Sequence, residues 1–239
     1  MSAEVNHILQ ALPKKEFETL LPELQPVTLA LNQVIYTAHA EIEHGYFVNT
    51  GLVSCMTVMQ NDDSVEVGLV GYEGFVGLPI LLNIAQSSIL VKVQIAGQAL
   101  RITAEALHKF LPRLPMLERL LSRFAYLQAV QSQQVAACNG LHEVGERLAR
   151  WLLMSQDRVR LNGFRLTHEQ IAAMLGTRRA SVTDAAKQLQ RAGTIEYRRG
   201  QLRILNRTKL ENAACECYEV VRTQLEVYRD TGVALRPDI

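Results

Sequence analysis

Apolar positions recur at helical spacing near the start of the chain. Val5, Ile8, Leu9, Leu12, Phe17 and Leu20 fall on one face and predict a helix over residues 3–21. From Pro26 to about Ile102 the pattern changes to alternation. Ile89, Val91, Val93 and Ile95 share one side of a strand, and Val65, Val67 and Leu69 do the same with Glu66 and Gly68 opposite. Gly51, Gly68, Gly71, Gly74, Gly77 and Gly97 punctuate this segment at turn positions. Many short strands with regular turns predict a compact antiparallel sandwich or barrel.

After Thr103 the helical period returns. A short helix over Ala104–Phe110 stops ahead of Pro112 and Pro115. Residues 116–138 then run without Gly or Pro and carry Leu117, Leu120, Leu121, Phe124, Leu127, Val130 and Val135. That is an apolar stripe along a helix of about six turns. It either packs wholly on its own domain or pairs with a second copy, and Leu117, Leu120, Leu121, Phe124 and Leu127 are the candidate coiled-coil seam. A following helix turns Leu141, Val144, Leu148, Trp151 and Leu152 inward. A last helix places Leu210, Ala213, Cys217, Val221, Leu225 and Tyr228 on one face.

Composition changes this picture little. Of 239 residues, 48% are hydrophobic and 21% charged, which fits a globular protein and excludes a disordered or fibrous one. No apolar run approaches the roughly 20 residues that span a bilayer. Glu4, Glu16 and Glu18 argue against a secretory leader, and four cysteines are too few for a disulfide framework, so a cytoplasmic protein is expected. Charge distribution is more informative. The net of +1 divides into −4 over residues 1–139, +8 over 140–209 and −3 over 210–239. A basic block within a neutral chain points to a polyanionic partner for that block.

Inside the block, Thr167 with Gln170 three residues on is a capping box that opens a helix. Ile171, Ala172 and Leu175 face inward. Gly176 permits a sharp turn, Thr177 recaps, and a second helix turns Val182, Ala185, Ala186 and Leu189 inward. A small residue, a Gly four later and a Val six after that is the packing arithmetic of a helix-turn-helix. Arg178 and Arg179 lead the second helix, with Ala180, Thr183, Asp184, Lys187 and Arg191 around its polar side. A guanidinium fork matches the O6 and N7 acceptors of guanine in a major groove. Thr167, Thr177 and Ser181 suit phosphate anchoring. Residues 194–198, a turn at Arg199-Gly200 and residues 201–205 predict a hairpin with Arg198 and Arg199 at its tip. The combination is a winged helix, and double-stranded DNA is the expected partner.

Over essentially its whole length the chain also resembles the Crp/Fnr family of bacterial transcription regulators. In the first half the resemblance rests on residues 46–54 (YFVNTGLVS), residues 67–78 (VGLVGYEGFVGL) and Leu81-Leu82. In the second it rests on Leu166-Thr167, Ile171-Ala172, Leu175-Gly176, Arg179, Ser181-Val182, Leu189, Ala192-Gly193 and residues 204–207 (ILNR). The resemblance implies an α+β chain: a cyclic-nucleotide-binding-like antiparallel β-barrel or jelly roll over 1–115, a dimerisation helix over 116–139, and a winged helix-turn-helix over 140–209. Residues 210–239 are then a helical extension. It further implies a homodimer on an inverted-repeat operator, RNA polymerase as a partner, Arg179 as guanine reader, and Thr167 and Ser181 on phosphate.

The departures bear on the signal. Cyclic-AMP-binding members carry a Gly-Glu pair for the ribose and an Arg-Ser pair for the phosphate. Here Leu78 follows Gly77, residues 86–88 read Gln-Ser-Ser, and no arginine lies between Gly77 and Ile95. Without a cationic partner a buried phosphate is poorly held, so cyclic AMP is not the expected signal and the effector site is left unassigned. Oxygen-sensing members ligate an iron–sulfur cluster with N-terminal cysteines, yet the first cysteine here is Cys55. Ala180 and Asp184 stand where well-known members carry Glu and Arg, so their half-site does not transfer. Cys215 and Cys217, two apart on a continuous helix, would point about 200° from one another and could not chelate one ion. His39 and His44 lack the spacing of jelly-roll metalloenzymes. Neither metal, cofactor nor catalysis is therefore expected. Two other readings remain: a constitutive DNA binder whose barrel is only a scaffold, and a jelly-roll metalloenzyme with an accessory nucleic-acid domain.

Overall fold

The computed structural model describes residues 6–230. The chain opens with two short helices, α1 (His7–Gln10) and α2 (Lys14–Leu20), where the apolar period predicts one. Pro13 separates them because it has no N–H to continue α1; Val5 lies outside the described residues. Buried Asn6 fastens the entry. Its Oδ1 accepts from the Ile8 and Leu9 amides, and its Nδ2 donates to the Val48 carbonyl at 2.8 Å and the Gly74 carbonyl at 2.7 Å.

Six strands follow: β1 (Gln25–Leu29), β2 (Val34–Tyr36), β3 (His44–Val58), β4 (Ser64–Val70), β5 (Phe75–Val76) and β6 (Leu90–Thr103). They form one antiparallel sheet in the order β1-β6-β3-β4, with β2 also on β6 and β5 on β3. The sheet is jelly-roll-like and open rather than a closed barrel. Its spine is the long pair β3–β6, whose register shifts between Val48 and Val53. That bend needs a glycine opposite, since a Cβ on Gly97 would lie 2.0 Å from the Thr50 carbonyl oxygen. Beyond β6 come α3 (Ala104–Phe110) and the 27-residue α4 (Pro115–Leu141).

The stripe on α4 is spent inside the chain. Leu117, Leu120, Leu121, Phe124 and Leu127 are all buried against Phe47, Phe75 and Val93 of the sheet. They are covered within one chain, because the open sheet has a wide apolar face to cover. The opposite face of α4 is exposed and carries Ser122, Tyr126, Ala129, Gln133, Ala136 and Gly140 at spacings of four and three. Leu141, expected to face inward on the next helix, is instead the last residue of α4 and is 80% exposed.

Helix α5 (Val144–Val159) begins the second core. Leu148, Trp151 and Leu152 pack with β7 (Gly163–Arg165), α6 (His168–Leu175), α7 (Arg179–Arg191), β8 (Ile195–Arg198) and β9 (Gln201–Ile204). Leu52 and Leu69 of the sheet belong to the same cluster, so the two halves of the chain share buried surface. The polar contacts across that joint are buried as well. The Trp151 indole donates to Glu66 Oε1 at 2.8 Å, and Arg158 pairs with Glu73 at 2.8 Å while donating to Gln131 at 2.7 Å.

The C-terminal helix is broken where one continuous helix was expected. α8 (Arg207–Asn212) and α9 (Cys217–Arg229) are separated by residues 213–216, and Cys215 sits in the break. The assumption that held Cys215 and Cys217 apart therefore fails. α9 lies along α4, with Leu225 and Tyr228 in the first core.

Candidate nucleic-acid interface

Local chemistry builds the helix-turn-helix from its first residue. The Gln170 amide donates to Thr167 Oγ1 at 3.2 Å and the Thr167 amide to Gln170 Oε1 at 2.8 Å, completing the capping box of α6. Gly176 ends α6 at φ +57°, a conformation glycine adopts without a Cβ penalty. Buried Arg147 of α5 donates to the Leu175 carbonyl, placing a cation at the negative end of α6. Ala172 and Val182, one on each helix, are both buried in the same apolar cluster. Thr177 lies in the turn and does not cap; Arg178 is the N-cap of α7, and no side chain caps that end. The first-turn amides of α7 therefore point outward with no side-chain acceptor, and Ser181 stands among them.

The expected contact residues fall mostly on one surface. Thr167, Arg178, Arg179, Ala180, Asp184 and Lys187 are exposed, and Thr177 and Ser181 are half-buried beside them. Arg179 is loosely tethered to Glu169 at 3.8 Å and Lys187 to Asp184 at 3.8 Å, both at the surface, where such pairs contribute little. Thr183 differs. Its hydroxyl is held by His168 Nδ1 at 2.9 Å and the Arg179 carbonyl at 3.0 Å, which turns it back toward α6. Arg198 and Arg199 stand exposed at the hairpin, and Arg199 at φ +52° with Gly200 at φ +76° makes the two-residue turn of a tight wing.

Three parts of this assembly escape the sequence patterns. β7 adds a third strand to the wing, in the order β7-β9-β8; its only signal is the alternation of buried Phe164 and Leu166 around exposed Arg165. His168 stacks on Tyr197 with ring centroids 4.4 Å apart, and the Tyr197 hydroxyl donates to the Leu166 carbonyl at 2.7 Å. Together they tie α6 to the wing. Burial, with Arg179 and Lys187 adding repulsion, lowers the His168 pKa and keeps its ring neutral. The third part is the sheet itself. The α6–α7 turn faces the β3–β4 tip across a cleft of about 1000 Å³ lined by Asp62, Asp63, Glu169, Arg178 and Arg179. A Cβ on Gly176 would come within 3.0 Å of Val65, so the two parts touch at the turn.

Residues 146–213 match the Crp-like helix-turn-helix domain. Similar folds cover about four fifths of the chain or more. FixK2 from Bradyrhizobium japonicum superposes with a TM-score of 0.68 at 19% identity, covering 80% of this chain and 98% of its own. A putative transcriptional regulator of the Crp/Fnr family from Eubacterium rectale gives a TM-score of 0.68 at 15% identity, over 86% and 96%. TTHB099, a CRP-family transcriptional regulator from Thermus thermophilus, gives 0.62 at 22% identity, over 79% and 96%. No curated protein matches the sequence. The chain has the fold of these Crp/Fnr-type structures and carries a Crp-like helix-turn-helix domain.

A cavity of about 220 Å³ lies between the sheet and α4. Tyr36, Cys55, Val70, Phe75, Leu78 and Ile89 give it a largely apolar wall. Its polar lining comes chiefly from Ser87, Ser88, Gln128 and Ser132, with no charged side chain. Ser87 is already engaged, donating to the Ile89 carbonyl at 2.7 Å and accepting from the Ile89 amide at 3.1 Å. Lys92 does not line the cavity. No helix among the described residues is long and apolar enough to cross a membrane.

Proposed function

We propose that this chain is a cytoplasmic, homodimeric, sequence-specific regulator that binds an inverted-repeat operator and acts on RNA polymerase there. The observation that carries the DNA-binding reading is the leading end of α7. Two exposed arginines, Arg178 and Arg179, stand beside uncapped first-turn amides, inside a matched Crp-like helix-turn-helix with a basic wing. The arginines suit base edges; the amides, Thr167 and Ser181 suit phosphate. For the dimer, the exposed α4 face supports pairing with a second copy, because small residues at Ala129, Ala136 and Gly140 let two helices approach closely and Tyr126 supplies apolar area. These replace the leucines of the buried stripe as the dimer residues.

The conformation described here bears on regulation. The reading end of α7 faces the acidic β3–β4 tip, so the phosphate-seeking surface is opposed by Asp62 and Asp63. We read it as the closed member of an equilibrium whose open member binds DNA. The shared core, the Trp151–Glu66 bond and the Arg158–Glu73 pair favour this reading over a scaffold-only barrel. Selection of bound sequences from a random DNA pool tests the function. An inverted repeat with half-site centres about one helical turn apart is expected, and recovery of no enriched motif would overturn the proposal.

A further inference from the structure

Away from the DNA-facing elements, four side chains meet at the joint between α4 and α5. Cys138 and His142 stand four residues apart at the end of α4 and share a face. Cys215 and Cys217 approach from the break between α8 and α9. Their ligand atoms all lie within 4.8 Å of one another. Cys138 Sγ is 3.5 Å from Cys215 Sγ, and Cys217 Sγ is 3.6 Å from His142 Nδ1. A tetrahedral centre with bonds of about 2.3 Å to sulfur and about 2.0 Å to nitrogen spaces its ligand atoms roughly 3.5–3.8 Å apart. We propose that Cys138, His142, Cys215 and Cys217 form a mononuclear Cys3His site for a zinc-type divalent ion, stapling the α4–α5 joint to the C-terminal helices.

Four further observations support the site. The three cysteines are buried and cluster with one another rather than with either apolar core. His142 presents Nδ1 to the sulfurs while its Nε2 lies 3.2 Å from Glu216 Oε2. A metal-bound imidazole is commonly oriented by such a carboxylate on its other nitrogen. Arg147 and Arg150 are buried alongside, and neither makes a salt bridge among the described residues, although the Glu66 carboxylate attracts Arg150 from farther off. Three thiolates, a neutral imidazole and a divalent ion carry a net negative charge, which gives the buried guanidiniums a counter-charge. Finally, the helix breaks only across residues 213–216, which brings two thiols that a continuous helix would separate to one point.

Other occupants fit less well. A two-iron cluster spreads its ligands over two metals, so ligands on opposite irons stand farther apart than these four do. A Cys138–Cys215 disulfide would use two of the four groups and leave Cys217, His142 and Glu216 arranged without a purpose. Zinc binding needs no oxidant: thiol protons are released to solvent as the ion enters. The site is independent of the DNA-binding reading and stands or falls separately.

Metal analysis of the full-length protein, purified without chelator under reducing conditions, tests the proposal. About one zinc per chain is expected, falling below about a tenth in Cys215→Ser and Cys217→Ser and unchanged in Cys55→Ser. A second measurement does not depend on the variants folding. Metal-stripped wild-type protein titrated with cobalt(II) should develop the intense visible and near-ultraviolet bands of tetrahedral thiolate cobalt at one equivalent, and zinc should abolish them. Absence of both zinc and cobalt binding would overturn the site. So would iron with inorganic sulfide, or a Cys138–Cys215 disulfide in protein prepared without oxygen.

Discussion

Glu66 offers a quantitative test of how the two halves of the chain are joined. It is 5% exposed on β4 and receives hydrogen bonds from Ser54 at 2.5 Å and Trp151 at 2.8 Å. Burial outweighs those two bonds and the attraction of Arg150 and Arg158, raising its pKa from the usual 4.5 to about 7. The sign follows from linkage. The folded chain holds this proton more tightly than the unfolded chain, so the group's contribution to stability is fully present below about pH 4.5. It declines as pH rises and is lost above the folded pKa. At 1.36 kcal/mol per pH unit, the window corresponds to about 3 kcal/mol. In Glu66→Gln the amide oxygen still accepts from Trp151, the amide nitrogen donates to Ser54, and no charge is buried. The variant and the wild type should therefore have similar stability near pH 5, with the variant gaining by about 3 kcal/mol by pH 8. Urea denaturation midpoints measured in half-unit steps between about pH 5 and 8 give this difference directly. A stability gap that stays constant over that range would refute the burial of a carboxylate that ionises at about pH 7.

Further expectations concern the DNA surface, the dimer and the signal. Arg179→Ala should cost about 1–3 kcal/mol and relax preference at one base position, whereas Arg199→Ala should weaken all sequences alike and lower the salt slope; fluorescence anisotropy across salt concentrations separates them. Ala129→Glu with Ala136→Glu should give folded monomers by sedimentation, while Phe124→Asp should unfold the chain, since it places a charge in the sheet's own core. Asp62→Asn with Asp63→Asn should tighten operator binding by weakening the closed form, an effect absent if the acidic tip plays no part. Cyclic AMP and cyclic GMP at micromolar concentration should leave DNA affinity unchanged, because the cavity beneath α4 has no cation for the phosphate; a saturable calorimetric isotherm would contradict this.

The sequence made the helix-turn-helix legible because its signals are local. The capping box, the turn glycine and the paired inward positions each lie within one or two helical turns, and the wing carries its own Arg199-Gly200 turn. The jelly-roll-like sheet was readable for a similar reason, from alternation and glycine spacing. What escaped depends on partners far away in sequence. An apolar stripe looks the same whether it meets a second copy or the chain's own sheet, and the leucines of α4 lie buried against the sheet. Only the breadth of the sheet decided the matter. Glu66 gave no sign of burial because its partner Trp151 lies 85 residues on. Pro13 divides the N-terminal apolar stripe into two helices, whereas the C-terminal helix stops at residues that are ordinary helix formers.

The break between α8 and α9 follows from energetics. Residues 213–216 contain no proline or glycine, and two of the four are alanine, the best of helix formers. Local propensity favours continuing the helix, so tertiary contacts must favour stopping it. Those contacts are visible on both sides. Arg207 of α8 is held by Asp157 at 2.7 Å and Gln156 at 2.7 Å on α5, while α9 runs down α4 with Tyr228 in the first core. One straight helix cannot reach both surfaces, so the chain bends between them. The bend lies beside the joint of α4 and α5, the place where the proposed opening would change the angle between the sheet and the helix-turn-helix. The C-terminal segment therefore bridges the two halves, and in the proposed equilibrium whatever fixes its bend would limit how far α7 moves from the sheet.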